Sequence, residues 1–135
     1  MGGNDVKKLV EYWVKTAEHD YDTAISLFNG RRYSDCLFYG HLVLEKILKA
    51  IIVLRAKKHT KPIHNLLVLL EDSGISSELT KEEIEFLAEV NRFNIKARYP
   101  DYKLSFYKLC TLAYVRPRLE RIKDVYKKLC GIIKR

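Results

Sequence analysis

Apolar side chains return at helical spacing along most of the chain. Trp13, Ala17, Tyr21, Ala24 and Phe28 stand 4, 4, 3 and 4 residues apart, which is one face of a 3.6-residue repeat. Leu9, Val10 and Leu27 flank that stripe. Asn4 or Asp5 can cap the start of this helix, and Asn29-Gly30 offers the usual left-handed stop. After a very short turn, Ser34 or Asp35 can cap a second helix. Leu37, Gly40, His41, Leu44, Ile47, Leu48 and Ile51 carry its broad apolar face to about Leu54. So short a connection between two long helices forces an antiparallel hairpin. Residues 55–62 then form a basic loop.

A short third helix starts at His64 or Asn65, is buried by Leu66, Leu67, Leu69 and Leu70, and ends at Ser73-Gly74. A fourth begins near Thr80, where Glu83 three residues on completes a capping box. Ile84, Leu87 and Ala88 turn inward, with Asn91 a further candidate. Residues 93–103 show no clear period. Pro100 at their centre disfavours helix at Tyr99. The last helix starts near Thr111 and runs to about Ile132, on a stripe through Leu112, Val115, Leu119, Ile122, Val125, Tyr126, Leu129 and Ile133. Pro117 lies inside it. It either kinks the helix or delays its continuous part to Arg116. No period-2 strand pattern survives anywhere. The expected fold is all-α: an up-and-down four-helix bundle with a shorter fifth helix alongside.

Composition narrows the class. The 135 residues are 47% hydrophobic and 31% charged, an ordinary globular balance for one domain spanning 1–135. Six Gly and three Pro are too few for a many-turned β-barrel. No apolar run approaches a membrane span and no apolar signal segment opens the sequence. Met1-Gly2-Gly3 resembles a myristoylation start, but Val6 stands where Ser or Thr is required. A cytoplasmic protein is expected. Cys36, Cys110 and Cys130 are odd in number and lack CxxC spacing, so they read as small buried side chains and not as a disulfide or zinc framework.

Charge is uneven. Residues 91–135 hold 13 Lys and Arg against 3 Asp and Glu, whereas residues 1–90 hold 12 against 14. A basic C-terminal third suits an anionic partner such as RNA, a nucleotide or an acidic protein, or else it simply solvates a helix face.

One ordered series of residues resembles the HEPN domain family (higher eukaryotes and prokaryotes nucleotide-binding). It runs Tyr12-Trp13, Ala17, Asp20-Tyr21 and Ala24; then Arg32-Tyr33-Ser34, Phe38-Tyr39-Gly40-His41-Leu42, Leu44-Glu45-Lys46 and Leu48-Lys49-Ala50; then Pro62-Ile63-His64-Asn65-Leu66; then the unbroken stretch from Phe93 to Tyr102. The resemblance covers about residues 5–133. It implies a five-helix bundle, commonly a homodimer, often partnered by a small nucleotidyltransferase in a toxin–antitoxin-like pair. Many relatives are metal-independent RNases whose motif is Arg, four to six residues, then His, often with Tyr one residue later. Alignment on Tyr99 lays Arg92 on that Arg and Ala97 on that His. Alanine can neither take nor give a proton.

These residues define the candidates. Arg92, Lys96, Arg98 and Tyr99 form a basic, aromatic segment suited to phosphate and base; alternatively Arg98 ties down helix-end carbonyls or an acid such as Glu45 or Asp20. His64 is a general acid, a phosphate ligand or an N-cap. His41 reads as a core or interface residue, and His19 and His59 as solvated. Glu45 and Lys49 read as a surface or dimer-interface ion pair of little worth. Asp20 and Glu45 can face each other across the hairpin as paired carboxylates. No metal spacing, Gly-rich phosphate loop or Ser–His–Asp order occurs, so no catalytic residue, metal or cofactor is assigned. The expectation is a non-catalytic module that dimerises and binds a nucleotide, an RNA or a nucleotidyltransferase. The alternatives are an RNase using His64 or Tyr99 beside Arg92 or Arg98, and a purely structural dimerisation module.

Overall fold

A computed structural model describes all residues, 1–135. It contains α1 (Gly3–Asn29), α2 (Tyr33–Ala56), α3 (Leu66–Ser73), a 3-10 turn (Ser76–Glu78), α4 (Lys81–Arg98), α5 (Pro100–Leu109) and α6 (Leu112–Ile133). No strand is present. The all-helical bundle is as the apolar spacing predicts, with one helix more than expected.

The hub is α2. Fourteen of its 24 residues are buried, because α1, α3, α4 and α6 all pack on it. A helix that is apolar on nearly every side has to be enclosed in this way. Against it α1 buries the small side chains Ala17 and Ala24, which lets the long helix lie close. On the other side α6 buries Val115, Leu119, Ile122, Val125 and Leu129, the stripe read from the sequence. Leu112 at its head stays exposed. At Gly40 α2 lies close against Ile122 of α6. A Cβ there would sit 2.6 Å from Cδ1 of Ile122, so only hydrogen fits without a shift in the neighbour.

Several ends follow the local signals. Thr80 and Glu83 form the reciprocal capping box, and Gly74 ends α3 in the left-handed region at φ 72°. Thr111 caps α6, accepting from the Tyr114 N–H at 3.3 Å. That settles the start of α6, which runs unbroken through Pro117.

Other ends differ. The first helix begins after Gly2 with no side-chain cap, and α2 begins after Arg32 without Ser34 or Asp35 as cap. At the α1–α2 turn Gly30 has φ −84°, and Arg31 takes the left-handed position at φ 61°. The Arg31 and Arg32 N–H groups return to Phe28 and Leu27 carbonyls at 3.1 and 2.8 Å. That is a Schellman closure with arginine in the place glycine normally takes. The region 93–103 is helical on both sides of Tyr99. Tyr99 itself is extended (φ −86°, ψ 130°) and Pro100 opens α5, the one helical position where its missing N–H does not matter. This break is why the period fades: two helices of different direction meet there. Only Phe106 of α5 is buried, stacked on Phe93 at 5.8 Å between ring centres.

No helix is long and apolar enough to cross a membrane. Cys36 and Cys110 are buried free thiols and Cys130 is half-buried.

Candidate functional site

Polar side chains on α2 that read as surface or flank positions lie inside the molecule. Glu45 and Lys49 are 3% and 4% exposed. One helical turn apart, they pair at 3.1 Å. This corrects the expectation of a surface or dimer-interface ion pair, since the single chain already buries both. The Lys49 ammonium also lies 5.2 Å over the Trp13 ring from α1. Glu45 is not paired with Asp20, which takes Lys46 at 2.6 Å instead. The hairpin therefore holds two separate ion pairs and no carboxylate dyad.

His64 completes the Glu45 cluster. Its Nδ1 donates to both carboxylate oxygens, at 3.0 and 3.1 Å, while its side chain is 58% exposed. The cap role falls to Asn65, whose Oδ1 accepts from the Leu67 and Val68 N–H groups. Asn65 Oδ1 also accepts from Nδ2 of Asn91 at 2.9 Å, and Asn91 Oδ1 accepts the Leu66 N–H at 2.8 Å. The loop bearing His64 is thus pinned to α4 by two asparagines.

His41 is 1% exposed. Its Nε2 donates to the His64 carbonyl at 2.9 Å, and its Nδ1 accepts from Nδ2 of Asn94 at 3.3 Å. Both bonds fit the neutral Nε2–H tautomer. Burial above all holds the His41 pKa below 6.5, against the pull of Glu45 and the His64 carbonyl. Asn94 in turn accepts on Oδ1 from Nη1 of Arg98 at 3.4 Å. The chain Arg98–Asn94–His41–His64–Glu45–Lys49 therefore joins α4, α2 and the loop before α3.

This gathers two of the five sequence candidates, His64 and Arg98. Arg92 is exposed on α4, about a third of a turn away from Arg98 by helical spacing. Lys96 acts with Arg118 on the Cys110 thiol, which burial pushes up to about 12 despite them. Tyr99 is exposed at the α4–α5 corner. Sequence reasoning missed Glu45, Lys49, Asn91 and Asn94. The one available signal was three polar residues, His41, Glu45 and Lys49, at i, i+4, i+8 inside an otherwise apolar helix.

The basic C-terminal third is also less open than its composition suggests. Arg118 Nε pairs with Glu89 and Lys128 with Glu83, both at 2.7 Å. Arg121 lies 4.1 Å over the Phe86 ring. These cations fasten α6 to α4. Arg98 has no carboxylate partner within 4.0 Å, and neither do Arg92, Lys96, Lys103 and Lys108.

A carboxylate on Nδ1 fixes an imidazole so that its other nitrogen faces outward, ready to hold an anion or move a proton. Two hydrogen-bonded residues away along the same relay, the Arg98 guanidinium is held only by an amide and keeps most of its donors for a ligand.

Residues 10–133 match the HEPN domain family. The chain belongs to the HEPN family. Its fold is similar to the crystal structure of TT1696 from Thermus thermophilus, with a TM-score of 0.76, 18% sequence identity, and 90% of this chain and 96% of that one covered. No curated protein matches the sequence at a significant level. In this HEPN chain the position laid on the family's motif histidine, Ala97, packs half-buried against the core.

Proposed function

We propose that this HEPN protein is a non-catalytic binder of a phosphate-bearing ligand, a nucleotide or an RNA segment, with Arg98 and His64 as its anion-holding groups. The observation that carries the reading is the pair itself. Arg98 bonds an amide, Asn94, and no carboxylate, and an exposed imidazole is held on the buried Glu45. Asn94 and His41 link Arg98 to the main-chain carbonyl of His64 through hydrogen bonds. Arg supplies a planar fork for phosphate, and the exposed Tyr99 ring next to it offers a face for a base. Alanine at position 97 removes the proton carrier of the family's RNase motif. Pairing of two copies and a nucleotidyltransferase partner belong to the same reading, by membership in the family.

Fluorescence anisotropy with labelled ATP and a short RNA, at two salt concentrations, tests it. Binding that weakens with salt, and falls about tenfold in Arg98→Ala, is expected. Absence of binding by the protein alone and with a reconstituted nucleotidyltransferase rejects it.

The Glu45–His64 geometry also favours a second reading, a metal-independent RNase in which His64 carries the proton that position 97 cannot. Incubation with RNA in EDTA decides between them. RNA that stays intact at high protein concentration excludes turnover, and cleavage lost in His64→Ala establishes it.

A further inference from the structure

The surface of α5 is a separate region that the polar network does not use. Tyr102, Leu104, Tyr107 and Leu109, with Leu112 at the head of α6, are 41–67% exposed, and they are five of the eleven large exposed hydrophobics in the whole protein. Two clefts of about 500 and 440 Å³ run along the helix. They share Ser34 and Tyr107 as walls and so form one groove between α5 and the α1–α2 turn. Its cations are Arg31 and Arg32 on the turn and Lys103 and Lys108 on α5. Arg32 has Asp35 at 3.1 Å; the other three have no carboxylate within ion-pair distance. Arg31 holds its place in the left-handed region at φ 61°, which costs a non-glycine residue about 1 kcal/mol.

We propose that this groove docks an acidic segment of a partner protein, its apolar side chains on Leu104, Tyr107 and Leu112 and its carboxylates on Arg31, Lys103 and Lys108. Charge complementarity selects this occupant. A second copy placed face to face would bring cations onto cations, a repulsion that opposes pairing. A nucleic acid strand would use the lysines and tyrosines but leave the leucines against water. Exposed leucines in both clefts, Leu104 in one and Leu112 in the other, call for an apolar partner surface, and the cations beside them call for acids.

The test is anisotropy of a fluorescein-labelled peptide rich in glutamate and leucine, titrated with the full chain. A labelled oligouridine serves as the competing probe. Salt-sensitive peptide binding is expected, weakened about tenfold by the double variant Lys103→Glu, Lys108→Glu and several-fold by Leu104→Ser, with the helical circular dichroism of each variant unchanged. Arg98→Ala leaves peptide binding intact, which separates this surface from the phosphate-binding reading. The proposal is overturned if the peptide does not bind or binds the double variant equally. It is also overturned if that variant abolishes oligouridine binding instead, or if Leu104→Ser dissociates a dimer of the chain in sedimentation.

Discussion

Helices α2 and α5 sit in one bundle and treat their side chains in opposite ways. α2 encloses charge: Glu45, Lys49 and His41 are inside, each with a hydrogen-bonding or ionic partner. α5 exposes apolar surface: one phenylalanine anchors it and its leucines and tyrosines face outward. A buried charge is tolerable only when paired, because desolvation otherwise costs several kcal/mol. Scattered exposed apolar groups cost the free chain little, but a cluster of them is a surface that awaits a partner. Inside α2, polarity positions the exposed His64. Along α5, apolarity is itself the candidate contact.

The contrast predicts a descending series of effects. Glu45→Ala strands the Lys49 ammonium in the core and should cost about 3–5 kcal/mol in urea unfolding. Glu45→Gln should cost less, since an amide still accepts from Lys49 and His64. If Glu45→Ala unfolds no more easily than wild type, the enclosed-charge picture of α2 is wrong. Gly40→Val drives two methyls toward Ile122 and should lower stability by about 1–3 kcal/mol, read by the same denaturation curve.

Acid acts on α2 through His41. Its folded pKa is held below 6.5. As pH falls past 6.5 the unfolded chain gains a proton that the folded chain refuses. Stability is therefore complete above that pH and declines below it, by at most about 1.4 kcal/mol per pH unit. Denaturation midpoints taken from pH 7 down to about 5.5, above the carboxylate range, should show this slope, and His41→Asn should flatten it. Smallest of all, Leu104→Ser on α5 should change stability by less than about 0.5 kcal/mol while it weakens peptide capture. A large loss there would mean that α5 packs more firmly than its single buried phenylalanine implies.

Much of the scaffold was legible in the amino-acid order. The stripes of α1 and α6, the Thr80–Glu83 box and the Gly74 stop are local, because spacing and short-range hydrogen bonds decide them. So was the family, carried by residues spread from Tyr12 to Tyr102. The site was legible in part. His64 and Arg98 stood out as chemistry-bearing residues, but the carboxylate that holds His64 lies 19 residues away on another helix. Asn91 stood out only as a candidate to turn inward, and Asn94 carries no sequence signal of its own. Residues 93–103 hid a helix because the turn at Tyr99-Pro100 resets the phase, so no single period spans them.

By itself the sequence determined where every helix but α5 forms and that no imidazole stands at position 97. Tertiary packing alone decided that Glu45 is inside and holds His64, that Arg118, Arg121 and Lys128 of α6 are bound to α4, and that α5 leaves its leucines in the open. The physical reason is range. Helix periodicity and capping act over four residues, whereas the protonation, pairing and exposure of a side chain depend on whichever element folds against it.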